Sequence, residues 1–174
     1  MMKIVICALA LVFAGASASW AQKSAGDPTW RYANSDEAMN AAVADARRTY
    51  PQFLSAFRAD SAANQANYMV KVGLPTSGEG APYSIEHIWV DHLHFEGGVL
   101  VGALANEPDY LPGMTRGSRI EIETARISDW SIVRSEGMYG NFTTRVMLHD
   151  VPADQAAEIR RALTRNPLPS DWES

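Results

Sequence analysis

Three of the four histidines, His87, His92 and His94, lie in one stretch, Tyr83 to Asn106, YSIEHIWVDHLHFEGGVLVGALAN. Three imidazoles so grouped would suit zinc or copper, provided the backbone brings them together. Tyr83 to Phe95 is rich in β-branched and aromatic residues. The turn Glu96-Gly97-Gly98 and a second such run, Val99 to Ala105, follow it, which is the pattern of a β-hairpin. Strand side chains alternate between faces. Ile85, His87, Trp89, Asp91, Leu93 and Phe95 therefore form the expected core face, with Glu86, Ile88, Val90, His92 and His94 opposite. At roughly 3.3 Å per residue, His87 stands about 16 Å from His92 and on the other face, while His92 and His94 are about 7 Å apart on one face. A metal site would be built on His92 and His94, with His149 or Glu86 supplied from elsewhere, or a bulge would have to bring His87 round.

Hydrolytic chemistry needs a nucleophile beside a base. The sequence has no G-x-S-x-G elbow and no H-E-x-x-H helix, and its one cysteine, Cys7, lies near the start. His87 and Asp91 share a face, yet four residues of strand hold them about 13 Å apart. His87 therefore reads as a buried histidine bonded to backbone or carboxylate. In Ile127-Ser128-Asp129-Trp130, Asp129 is suited to bonding local backbone in a turn, and Trp130 to closing one end of a sheet. Arg145, in what reads as the following strand, is placed to pair with Asp129 or Glu86. The functional alternative gathers His87, Trp89, Asn106, Asp129, Trp130 and Arg145 around a ligand pocket at the sheet edge. Asp109 and Tyr110 join the candidates because they sit in an irregular loop, Glu107 to Gly117. The loop from Pro75 to Pro82 matches no nucleotide fingerprint, and no cofactor is expected.

The elements that must carry these residues follow from periodicity. Ser35 offers an N-cap ahead of Asp36 and Glu37. Met39, Ala42, Val43, Ala46, Tyr50, Phe53, Leu54 and Phe57 then make one apolar helical face. Pro51 predicts a kink or a break, with a second short helix starting there. Asp60 to Gln65 reads as a turn, and Ala66 to Leu74 as a strand with Tyr68, Val70 and Val72 on one face. Ser118 to Thr124, Ile127 to Arg134 and Tyr139 to Leu148 read as further strands. Pro152 and Asp154 open a last helix to about Arg165, with Ala156, Ile159 and Leu163 inward. The expected fold is α+β: a curled antiparallel sheet of five to six strands with an N-terminal and a C-terminal helix packed on it.

Lys3, the apolar run Ile4 to Ala16 and the small residues ending Ser19-Trp20-Ala21 have the pattern of a secretory signal peptide cleaved after Ala21. The run is shorter than the roughly 18 residues of a spanning helix, so no stable membrane anchor is expected after cleavage. The expected organisation is a leader at 1–21, a loose arm at 22–34, one domain at 35–165 and a tail at 166–174. The remaining 153 residues carry 14 basic and 20 acidic side chains, a net charge of −6 with neutral histidines, and no basic run. That balance excludes nucleic acid as the expected partner. Without cysteine, the exported chain must be held by its core, in a periplasm or secreted.

At Glu86-His87-Ile88-Trp89, Gly97-Gly98, Gly102 to Asn106 with Pro108, Gly117, Ile127-Ser128-Asp129-Trp130, and Gly140 with Thr143 to Arg145, the chain resembles the bacterial YegJ-like family of uncharacterised proteins, domain of unknown function 2314. The resemblance covers roughly Ala38 to Leu148 and implies a compact domain and a set of positions, without a catalytic scheme. His92 and His94 fall outside its motifs, and the signal peptide and C-terminal helix look like additions to it. The expected function is that of an exported small binding domain for an envelope protein or small ligand, with no catalysis inferred. The alternative is a metal-binding or hydrolase-type protein using His87 or the His92/His94 pair.

Overall fold

The apolar stripe from Met39 to Phe57 is one face of a single helix, α1 (Glu37–Ala59), in a computed structural model that describes residues 3–6, 30–33, 36–77 and 80–172. Asp36, one residue past the expected cap, is the N-cap: its Oδ1 accepts from the Met39 N–H at 2.9 Å. The helix runs through Pro51, so the expected break and second start do not occur. Proline removes a donor from the preceding turn. Ala46 and Tyr50 before the proline, and Phe53 and Phe57 after it, bury into one core, which favours continuing the helix. The expected turn after it contains a short helix, α2 (Ala62–Gln65).

Six antiparallel strands form an open sheet in the order β6-β5-β4-β3-β7-β8. They are β3 (Tyr68–Pro75), β4 (Ile85–Glu96), β5 (Val99–Leu104), β6 (Arg119–Glu121), β7 (Ile127–Arg134) and β8 (Gly137–Gly140). Two further strands, β1 (Lys3–Ile6) and β2 (Trp30–Ala33), pair with each other, and β1 lies parallel to the start of β4. Most of the expected leader and arm, residues 7–29, lies outside the described residues. Tyr68, Val70, Val72, Ile88, Val90, Ile127, Trp130 and Ile132 make the sheet's side of the core. The Phe53 ring is centred 5.5 Å from Tyr68 and 5.4 Å from Trp130.

The expected faces of β4 need correction. Around Gly97-Gly98, Phe95 pairs with Leu100, and further along Asp91 pairs with Ala103. His92 and Leu93 together oppose Gly102, a bulge in which His92 takes a φ of 50°. One extra residue exchanges the faces. Ile88 and Val90 therefore join the core before the bulge and Leu93 after it, while His87 and Trp89 lie on the sheet's other side. Gly102 permits this approach, since a Cβ there would stand 2.6 Å from the Asp91 carbonyl oxygen.

The expected strand Tyr139 to Leu148 is also corrected. β8 stops at Gly140, with φ 70°, and Asn141 follows with φ 56°. These two left-handed residues turn the chain into α3 (Phe142–Met147). β8 pairs with Ser131–Arg134 of β7 and bridges Leu163 through Met138, and α3 packs beside the rest of β7 and against α1. The last helix, α4 (Ala153–Ala162), is shorter than expected, although Ala156 is buried. Within the expected tail, the Trp172 ring is centred 5.3 Å from that of Trp130.

Candidate functional site

β3 lies between β4 and β7, and its register sets Lys71 opposite Trp89 on one side and Asp129 on the other. Strand alternation puts all three on the face away from α1, because Val70 and Val72 point toward it. Lys71, Trp89 and Asp129 are each 1% exposed or less. Charges buried so deeply are expensive unless partnered. Lys71 Nζ lies 4.7 Å from the centre of the Trp89 ring and donates to Thr143 Oγ1 at 2.9 Å, and that hydroxyl donates to Asp129.

Asp129 accepts three amides as well, from Trp130 at 2.8 Å, Phe142 at 3.1 Å and Thr143 at 2.8 Å. The last two are orphan donors at the start of α3, whose N-cap residue Asn141 gives no side-chain cap. Asp129 is thus the cap of α3 supplied from a neighbouring strand. Burial pushes its carboxyl above the usual range, opposed by the Lys71 charge and by these hydrogen bonds.

Two residues along from Trp89, His87 pairs across β3 with Gly73. A Cβ on Gly73 would lie 3.1 Å from His87 Cε1, so the glycine makes room for the imidazole to lean across β3. Its Nδ1 stands 2.8 Å from Ser128 Oγ on β7, and Ser128 Oγ lies 3.3 Å from the Lys71 carbonyl. A hydroxyl has one proton. That proton goes either to the Lys71 carbonyl, with His87 Nδ1–H donating to Ser128, or to His87 Nδ1. Burial first, then the Lys71 and Arg47 charges, lower the His87 pKa to about 4, so the ring is neutral near pH 7.

Of the six expected pocket residues, His87, Trp89 and Asp129 share this face. Trp130 points the other way, its Nε1 donating to Thr49 Oγ1 at 3.0 Å. Arg145 lies on α3 rather than on a strand and donates to the Gly140 and Thr164 carbonyls at 2.9 and 2.8 Å, so its expected pairing with Asp129 or Glu86 is replaced by backbone contacts. Asn106 is buried just after β5. Asp109 and Tyr110 give their N–H groups to the buried Glu86 carboxylate at 2.8 and 2.9 Å, which fastens their loop to β4.

His92 Nδ1 lies 2.7 Å from Asp91 Oδ1, and His94 lies between the His92 carbonyl and Glu96, both at 2.9 Å. Among the described residues no three His, Cys, Asp or Glu side chains are grouped to hold a metal ion. Sequence reasoning missed Lys71 and Gly73, and named Ser128 and Thr143 only as members of motifs. The available signal was a lone lysine inside the apolar strand YMVKVGL.

Sheet, capping aspartate and buried lysine define a small α+β domain organised around a polar chain from Lys71 through Thr143 to Asp129. The chain belongs to the family described as "Uncharacterized protein conserved in bacteria (DUF2314)", whose model matches residues 36–164. The match runs through α4, so the C-terminal helix is part of the family's domain rather than an addition. The chain is similar to "Uncharacterized protein YegJ" of Escherichia coli K12, at 26% identity over 129 residues, 74% of this chain and 79% of that protein. It is also similar to a putative ankyrin repeat protein of Neisseria meningitidis serogroup B, at 33% identity over 128 residues, 71% of this chain but 49% of the relative. No solved structure matches.

Proposed function

We propose that the chain is exported with residues 1–21 removed and works as a binding domain for an envelope protein or small ligand. The observation that carries the binding reading is the surroundings of His87, whose Nδ1 stands 2.8 Å from Ser128 Oγ near the buried Lys71. Burial and the Lys71 and Arg47 charges lower its pKa to about 4, which leaves the ring a weak base for activating a hydroxyl. The site then offers a neutral ring beside a buried cation, a means of recognition. The leader-like sequence and the cysteine-free remainder support export.

The test is to treat the envelope-extracted protein with a fluorophosphonate and read its intact mass. The expected result is a chain beginning at Gln22 with no adduct. An adduct on Ser128 would overturn the binding reading, and a mass retaining residues 1–21 would overturn the export reading.

A further inference from the structure

Arginines gather at one corner of a chain whose net charge is −5. A cavity of about 380 Å³ lies where α3 and α4 end, lined by Arg145, Leu148, Arg160, Leu163, Thr164 and Arg165. That volume falls within the roughly 300–1,000 Å³ of small-molecule sites. Among the described residues the lining holds three guanidinium groups and no carboxylate, and none of the three forms an ion pair. Arg145 is fixed in place, its Nε donating to the Gly140 carbonyl at 2.9 Å and its Nη1 to that of Thr164 at 2.8 Å. Arg160 donates to the Leu148 carbonyl at 3.2 Å, and the Arg165 side chain makes no hydrogen bond among the described residues.

We propose that this cavity binds a phosphate monoester. The inference goes beyond the binding reading above and stands apart from it: the site uses neither the His87 face nor export, because its residues stay in the chain whether or not the leader is removed. Charge decides the ligand class. Leu148 and Leu163 are the C-caps of α3 and α4. A helix C-terminus carries about half a negative charge, so two such ends leave about two of the three positive charges unbalanced. A carboxylate would balance only one of them. A phosphate monoester carries about −1.5 to −2 near pH 7 and offers three acceptor oxygens.

The donors to meet those oxygens are present. Arg145 spends most of its N–H groups on the Gly140, Met138 and Thr164 acceptors and so contributes a fixed charge. Arg160 and Arg165 keep N–H groups to spare, in the planar fork that matches phosphate. Capping the helix ends accounts for Arg160 in part, but Arg165 lies past α4 and serves no carbonyl. Glu136, which lines an adjoining cavity with Arg165, accepts instead from Ser135 Oγ at 3.1 Å. Leu148 and Leu163 add an apolar wall, which favours a phosphate carried on an organic body over the free ion. Such a group occurs on soluble molecules and on phosphatidic acid.

The experiment is calorimetry on the full chain at constant ionic strength with phenyl phosphate, inorganic phosphate and benzoate, beside flotation with phosphatidylcholine vesicles with and without phosphatidic acid. The expected result is saturable binding of phenyl phosphate, tighter than that of inorganic phosphate or benzoate. Arg160→Gln and Arg165→Gln should each weaken it about fivefold. Arg165 has no hydrogen bond to lose, so its variant keeps the fold. Arg161→Gln should leave binding unchanged, because it removes the same charge from an exposed position of α4 outside the cavity. Vesicle binding that requires both phosphatidic acid and Arg165 would also support the site and assign the phosphate to a lipid. Benzoate bound as tightly as phenyl phosphate would overturn the ligand class, and an equal loss in Arg161→Gln would overturn the site by reducing it to overall charge. Absence of saturable binding by phenyl phosphate and by the vesicles alike would overturn the proposal.

Discussion

His87 makes the stability of the protein depend on pH in a direction set by its surroundings. A folded pKa of about 4 against 6.5 means that the unfolded chain binds the extra proton first as pH falls. Stability contributed by the neutral ring is intact above pH 6.5, declines as pH drops from 6.5 to 4, and levels off below. The gap sets a ceiling of about 3 kcal/mol, lowered by the ring's remaining solvent contact. Denaturant unfolding at steps between pH 7 and 4 should show His87→Gln flatter than the parent, and equal slopes would contradict the buried neutral assignment. Asp129 has the opposite sign, its raised pKa costing stability as pH rises above 3.8, so only the difference between parent and variant isolates His87. Asp129→Ala would strand three amides and leave Lys71 without its counter-charge. A loss of about 3–5 kcal/mol in the same unfolding assay is expected, and a loss under 1 kcal/mol would show that α3 finds another cap. Sequence picked out His87, Trp89 and Asp129 because unusual residue types mark themselves. It did not pair Lys71 with Asp129, because that contact depends on which strands are neighbours, and Lys71 and Asp129 are 58 positions apart.

Elements were legible where one periodicity ran uninterrupted, as in the α1 stripe and the alternation of Tyr68, Val70 and Val72. They were misjudged where a single residue changed the backbone. One bulge residue between Asp91 and His94 reversed the faces of β4, and two left-handed residues at Gly140 and Asn141 replaced half a strand by α3. Neither alters the apolar pattern enough to announce itself. Pro51 is the converse: a strong local breaker overruled by burial of residues on both sides of it. Because the helix already absorbs the proline, Pro51→Ala should restore a donor at an exposed position without disturbing the core. The expected gain is about 1–3 kcal/mol, read as a raised denaturation midpoint at unchanged slope. A destabilised variant would mean that the proline fixes a bend on which Phe53 and Phe57 depend.

At the scale of the molecule, the core is closed by a piece that lies beyond the family match. The aromatic cluster of Phe53, Tyr68, Trp130 and Phe142 is extended by Trp172, and the Pro167 carbonyl accepts from the Gly140 N–H at 2.7 Å, at the point where β8 turns into α3. Arg134 adds an ion pair with Asp171 at 3.2 Å, an exposed contact worth little by itself. A chain with no cysteine after Cys7 has no disulfide to compensate for losing such a lid. Ending the chain at Asn166 should therefore expose one side of Trp130, unpair the Gly140 amide and cost about 2–4 kcal/mol, from indole burial, ring contact and one backbone hydrogen bond. For a domain of this size that corresponds to a fall in melting temperature of about 5–12 °C. An unchanged melting temperature would show that residues 36–164 close their own core and that Trp172 only rests on it.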